Sequence, residues 1–278
     1  LSPDEDAILV RLWAGNASHI ARYDLNRNVA VPLTLAGDSN SFPRWSPDGR
    51  TMAFQSNRAG PYTLFTMPVD GSGEAERLLE DPSGFHQHPS WSPDGKSLVY
   101  TDVTLESRST LWILPMDEPG AGPTPFLATE FNAHSPEFSP DGRFLAYVSN
   151  ESGREEIYLT EFAPANSGSR ARETVSRDGG WEPCWSPDGT ELYYRSYDGT
   201  QLMVARVRTS PSLEIGEPEE LLDISRMPPP IPFGGRSYDV SRDGRFLMIV
   251  EDDTGQESMN LAIVLNWFQE LEQLVPTH

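Results

Sequence analysis

Apolar positions along the chain fall in short, evenly recurring runs. One set reads Met52-Ala-Phe54, Leu98-Val-Tyr100, Leu145-Ala-Tyr-Val148, Leu192-Tyr-Tyr194 and Phe246-Leu-Met-Ile-Val250. A second set follows each of these: Thr63-Leu-Phe-Thr-Met67, Leu111-Trp-Ile-Leu114, Ile157-Tyr-Leu159, Leu202-Met-Val-Ala205 and Leu261-Ala-Ile-Val-Leu265. Weaker runs such as Arg77-Leu-Leu79 and Glu219-Glu-Leu-Leu222 come next. The runs are rich in aromatic and β-branched residues and are bounded by turn residues, which predicts strands. None approaches the length of a membrane-spanning helix.

Between the runs sits a repeated turn. Ser-Pro-Asp-Gly occurs at 46–49, 92–95, 139–142 and 186–189, and Ser241-Arg242-Asp243-Gly244 is a fifth copy with one change. Leu1-Ser2-Pro3-Asp4 reads as a sixth, clipped at its start, so the first residue is expected to fall inside a repeat. Serine-to-serine intervals are 44, 46, 47, 47 and 55 residues. Trp45, Trp91, Phe138, Trp185 or Val240 precedes each Ser, and Pro43, Pro89, Pro136 or Pro183 lies two residues earlier. Four strands in a phased unit of about 45 residues describe a propeller blade. The chain is therefore predicted to be all-β: a six-bladed β-propeller of four-stranded blades, one domain over residues 1–278, anchored at Ser2, Ser46, Ser92, Ser139, Ser186 and Ser241. Asn266 is expected to cap a short C-terminal helix, residues 266–275, whose Trp267, Leu271, Leu274 and Val275 share a face. The ring is expected to close across its ends, with residues near Leu1 to Pro3 beside the final blade. Asp48, Asp94, Asp141, Asp188 and Asp243 read as turn carboxylates that accept backbone N–H groups, and so as structural.

Composition narrows the classes of function. The 278 residues carry 21 Lys and Arg against 42 Asp and Glu, a formal charge of −21. Such a field repels phosphate backbones and anionic lipid, which argues against a nucleic-acid partner and against membrane insertion of this chain. The single cysteine, Cys184, excludes an internal disulfide and a Cys-based zinc site, and its place beside Trp185 reads as a buried, inert thiol. Neither a Gly-x-Ser-x-Gly elbow nor kinase motifs occur.

The Trp-Ser-Pro-Asp-Gly units resemble the TolB-type β-propeller repeat over nearly the whole chain. The stretch from Ser149 to Tyr158 and the ending from Val264 to Pro276 are similar to the C-terminal propellers of bacterial transmembrane Ser/Thr protein kinases. These resemblances imply a bacterial, extracytoplasmic (periplasmic) sensing or protein-binding module with no catalysis of its own.

Candidate chemistry gathers just before the anchors. Six before one anchor serine lies His86; four before each of four lie Phe42, His88, Ser135 and Glu182; five before lie Ser41, Gln87, His134, Trp181 and, in the last unit, Arg236. In a propeller this segment leads into the innermost strand at the mouth of the central channel. His86, His88 and His134, with Glu182, are thus expected to bind one divalent transition metal, Zn²⁺ or Mn²⁺, since imidazole and carboxylate suit such ions. A His-x-His pair on an extended segment is expected to present both rings to the same side. The rim also resembles the manganese site of oligogalacturonate lyase propellers, with Gln87 as the counterpart of their glutamine. A metal with an open position would activate water. Asp102 is the candidate base, Arg236 the holder of an anionic group, and Phe42, Phe85 and Trp181 the apolar walls.

Three functions stay open: a metal-dependent hydrolase of small esters, lactones or phosphotriesters; a non-enzymatic sensor or protein-interaction propeller; and a metal-assisted oligouronate lyase. The partner is accordingly a small-molecule substrate or another protein.

Overall fold

Twenty-two strands form six sheets in a computed structural model that describes residues 1–15, 17–34, 39–80, 84–104, 106–118, 120–127, 129–162, 171–210, 212–230 and 235–250. The first sheet has β1 (Ala7–Ala14), β2 (Ala17–Asp24) and β3 (Val29–Pro32). The second has β4 (Asn40–Trp45), β5 (Thr51–Ser56), β6 (Thr63–Pro68) and β7 (Glu76–Arg77). The third has β8 (Phe85–Trp91), β9 (Ser97–Val103), β10 (Ser109–Pro115) and β11 (Thr124–Leu127). The fourth has β12 (Ala133–Phe138), β13 (Phe144–Ser149), β14 (Glu156–Glu161) and β15 (Arg172–Thr174). The fifth has β16 (Gly180–Trp185), β17 (Glu191–Ser196), β18 (Gln201–Arg208), β19 (Glu214–Ile215) and β20 (Glu219–Asp223), the last two both paired to β18. The strand pairings are antiparallel and, apart from β18 with β20, join chain neighbours, as blades require.

The described residues make five blades, not the six expected. The sixth repeat contributes only β21 (Tyr238–Val240) and β22 (Phe246–Met248) among them, because its second run, Leu261–Leu265, lies outside the described residues. The helix expected over 266–275 also lies outside them, and no helix occurs among the described residues. The first residues do lie against the sixth repeat: the Arg242 guanidinium donates to the Pro3 carbonyl at 2.5 Å, and the Leu1 nitrogen lies 2.5 Å from the Asp239 carboxylate.

Each blade buries both faces, which explains why the second strand of each reads as a continuous apolar run instead of an alternating one. All six residues of β13 are buried. The core is a set of layers between blades. Phe144, Val148 and Ile157 of the fourth sheet meet Leu192, Tyr194 and Ala205 of the fifth, and Tyr193 and Leu202 meet Tyr238 and Phe246 across the next gap.

The Ser-Pro-Asp-Gly anchors are self-contained turns at one end of each blade. The Ser46 hydroxyl donates to Asp48 at 2.6 Å and accepts the Thr51 N–H at 3.0 Å, while Asp48 accepts the Arg50 N–H at 3.0 Å. The same pattern recurs at Ser92, Ser139 and Ser186. Gly49 closes the turn at φ 69°, a conformation that glycine adopts without penalty. Hydrogen bonds from the Ser hydroxyl, then from the backbone N–H, hold the Asp48, Asp94 and Asp188 carboxyls below the usual carboxylate range.

Candidate functional site

The opposite end of the blades carries the mouth of the central channel, and a repeated backbone feature shapes it. In each of β4, β8, β12 and β16 the register slips, between Ser41 and Arg44, Gln87 and Ser90, His134 and Glu137, and Trp181 and Cys184. The slip is a bulge of a left-handed residue and a proline: Phe42 (φ 53°), His88 (51°), Ser135 (52°) and Glu182 (56°) precede Pro43, Pro89, Pro136 and Pro183. Proline suits the bulge because it has no N–H to leave unpaired in the broken ladder. Non-glycine residues at positive φ each store about 1–3 kcal/mol of strain, and four in phase mark the segment that the fold holds most tightly.

The bulge sets the fate of the predicted metal ligands. His86 and His88 were expected on one side, but the left-handed turn at His88 breaks the strand alternation between them. The buried His86 ring shares a hydrogen bond between its Nδ1 and the Thr63 hydroxyl, 3.0 Å apart, and its Nε2 lies 3.5 Å from Asp102, its register partner on β9. His88 turns the other way, against Phe42, with ring centroids 4.3 Å apart. His134 lies 6.3 Å from His88 and 6.4 Å from Trp181, centroid to centroid, and its Nε2 is 3.5 Å from Glu155 on the neighbouring hairpin. An arc of rings, Phe42–His88–His134–Trp181, therefore steps around the mouth from blade to blade.

Glu182 is engaged elsewhere. Its Oε2 accepts the Ser237 N–H at 2.8 Å and the Ser237 hydroxyl at 2.6 Å, and its Oε1 lies 3.4 Å from the fully buried Arg195 guanidinium. Among the described residues no group of three or more His, Cys, Asp or Glu side chains is placed to hold a metal ion. The donor set of His86, His88, His134 and Glu182 does not fit one ion in this arrangement, because His86 faces Thr63 and Asp102 while Glu182 serves Arg195 and Ser237.

Arg236 is likewise inside, not at the rim. It donates to Glu137 at 2.8 Å and to Asp239 at 3.0 Å, and is 11% exposed. Glu137 also accepts from Arg44 at 2.9 Å, across the channel from the second blade to the fourth. Arg44, Glu137 and Asp239 all stand two residues before an anchor serine, as does Cys184. Just past the bulges, these positions form a chain of ion pairs linking the second and fourth blades to the last repeat. Burial opposes ionisation of Asp239, but neighbouring positive charge, Arg236 and Arg44 included, outweighs it and holds its carboxyl low. Burial pushes the Cys184 thiol up to about 12. Sequence reading took the offsets four, five and six and passed over the offset of two. The unlike charges at 44, 137 and 239 were the signal for this plug.

Around the mouth, large rings face solvent. Trp13 at 52%, Tyr197 at 51% and Phe85 at 38% are the exposed aromatics among the described residues, and all three lie at the strand ends opposite the anchor turns. Arg11 stacks on Trp13, 3.9 Å from its centroid; Tyr62 meets Phe85, and Trp181 meets Tyr197.

Fold and site together define a β-propeller with ion pairs crossing its channel beneath an aromatic mouth. Residues 88–213 match the TolB beta propeller domain model. An uncharacterized protein of Agrobacterium fabrum is 30% identical over 133 residues, 45% of each chain. An uncharacterized peptidase of Bacillus subtilis is 43% identical over 68 residues, 24% of this chain. The matches span only 45% and 10% of those two relatives' own lengths. Among solved structures, a TolB-like protein of Agrobacterium tumefaciens has a TM-score of 0.66 at 22% identity, over 87% of this chain and 84% of its own. Oligogalacturonate lyase in complex with manganese has a TM-score of 0.62 at 15% identity, over 92% of this chain and 70% of its own. At such identities these two likenesses speak for the fold. No helix among the described residues is long and apolar enough to cross a membrane.

Proposed function

We propose that this propeller is a non-catalytic recognition module that binds a partner protein through the face around the channel mouth, outside the cytoplasm. The observation that carries the reading is the pairing of a channel crossed by the ion pairs of Arg44, Glu137, Arg236 and Asp239 with exposed rings at the mouth. The ionic groups there are engaged with one another, whereas exposed aromatic rings are the residues that anchor protein interfaces. The TolB-type repeats agree with such a role and with a periplasmic setting, and the resemblance to kinase-borne propellers would make the module a sensor. The test is site-directed photo-cross-linking in the native cell envelope. Cross-linkers at Phe85 and Tyr197 should trap a discrete partner, while Val31 and Lys96, on an outer strand and an anchor turn, should not. Equal labelling from all four positions would refute the reading.

A second reading is favoured by one observation: His88 and His134 are neighbours at the mouth, and a lyase of this fold binds manganese. For metal-dependent hydrolysis or lysis, His86 and Glu182 would have to leave Asp102 and Arg195 to join them. Asp102 as base and Arg236 as anion holder would likewise have to give up their present partners.

A further inference from the structure

The rings Trp181 and Tyr197 form the best-built part of the mouth. Their planes lie 23° apart with centroids at 5.8 Å, and the indole Nε1–H donates to the Tyr197 carbonyl at 3.0 Å. One glycine makes room for the tyrosine, and the next lets the strand pack on the core. Gly179 stands at φ 91°, and a Cβ on it would fall 2.7 Å from the Tyr197 side chain. A Cβ on Gly180 would fall 2.8 Å from Tyr194 and 2.9 Å from Ile157. The sequence Gly179-Gly180-Trp181 thus lays the indole against the tyrosine in one orientation, so little side-chain freedom is left to lose on binding.

Carboxylates surround this platform. Asp178, the residue before Gly179, has a side chain 99% exposed. Asp198 follows Tyr197, held in place by Ser196 at 2.6 Å and the Thr200 N–H at 3.1 Å. Glu155 accepts the Gly180 N–H on its backbone carbonyl at 2.9 Å, and its carboxylate is 18% exposed beside His134. Two cations lie close by: Arg154 is 3.5 Å from Asp178 but nearer Glu156, at 2.7 Å, and the buried Arg195, register partner of Trp181, donates to the Gly199 carbonyl at 3.0 Å. The face of an aromatic ring attracts cations, as Arg11 on Trp13 illustrates within the same mouth.

We infer that the Trp181–Tyr197 platform, rimmed by Asp178, Asp198 and Glu155, seats an arginine or lysine side chain of the partner protein. The inference rests on the recognition reading above and adds the chemistry of the partner. The net charge of −21 draws such a segment in at long range, and the rings give it one address on an acidic surface.

The experiment titrates the 278-residue protein with acetyl-Gly-Arg-Gly-amide, its lysine analogue and its glutamine analogue, followed by amide and indole N–H NMR shifts. The arginine and lysine peptides should bind in the millimolar range and move the Gly179, Gly180, Tyr197 and Trp181 indole signals. The glutamine peptide should bind at least about threefold more weakly. Tyr197→Ala should weaken the arginine peptide about three- to tenfold, Tyr197→Phe should keep it, and Val31→Ala should change nothing. Binding should fall as salt rises. Glutamine binding as well as arginine at the same signals would overturn the cationic seat and leave the recognition face standing. Shifts spread over the acidic surface and indifferent to Tyr197→Ala would overturn it as non-specific attraction, and so would no shift at all. The cross-linking result stands apart from all three.

Discussion

Removing the central charge of the channel plug should cost more than any surface change. Glu137 holds two guanidinium groups, Arg44 at 2.9 Å and Arg236 at 2.8 Å, and its side chain is 17% exposed. Glu137→Gln keeps the size but leaves two cations facing each other with only Asp239 to balance them. Breaking a buried ion pair costs about 3–5 kcal/mol, and the partial exposure of Arg44, 28%, lowers that to about 2–4 kcal/mol here. Urea unfolding at pH 7 measures it as a lower midpoint with an unchanged slope. Because the pairs are largely buried, the loss should persist at 0.5 M salt, where exposed pairs are screened. Arg44→Met alone should destabilise, and Glu137→Gln with Arg44→Met should lose less than the sum of the two, with a coupling of about 0.5–3 kcal/mol. A loss under 1 kcal/mol, or strict additivity, would refute the plug as a single ionic unit.

Other outcomes follow from the anchors and the core. Ser139→Ala leaves the buried Phe144 N–H without its acceptor at 3.0 Å and should cost about 1–3 kcal/mol, whereas Ser152→Ala, on an exposed turn, should cost under about 0.5 kcal/mol in the same urea series. The depressed carboxyls of Asp48, Asp94 and Asp188 contribute stability that is complete above the unfolded value near 3.8 and is lost as pH falls through their lower folded values. Unfolding followed from pH 5 to 2.5 should therefore show stability dropping only below about pH 4, less steeply in Asp48→Asn. Cys184, 3% exposed and with its thiol raised to about 12, should resist thiol reagents in the native protein at pH 8 and react at once in urea.

The repeat was legible because its parts are local. A serine hydroxyl and a carboxylate two residues apart build the same turn wherever they recur, and the apolar runs report blades buried on both sides. The count of five blades among the described residues differs from the six expected because the second run of the last repeat, Leu261–Leu265, lies outside them. The site was half legible. Offsets from the anchors did mark the mouth, and Asp102 does stand opposite His86. The metal set is not gathered among the described residues, and a backbone detail bears on it: strand alternation predicts that His86 and His88 share a side, and the bulge at His88 and Pro89 interrupts that alternation. The capture of Glu182 by Arg195 was hidden for another reason, because Arg195 sits in a strand whose other repeats carry Gln55, Thr101 and Val148 near that level. The Trp181–Tyr197 platform depends on Gly179, whose role shows only when the neighbouring strand is in place.

Metal content and turnover of the purified protein test the central claim most directly. The account predicts that protein equilibrated with Zn²⁺ or Mn²⁺ and then desalted retains well under one metal per chain and hydrolyses no aryl ester, lactone or phosphotriester above background. One tightly held metal per chain, lost together with catalytic turnover in His88→Ala, would contradict it.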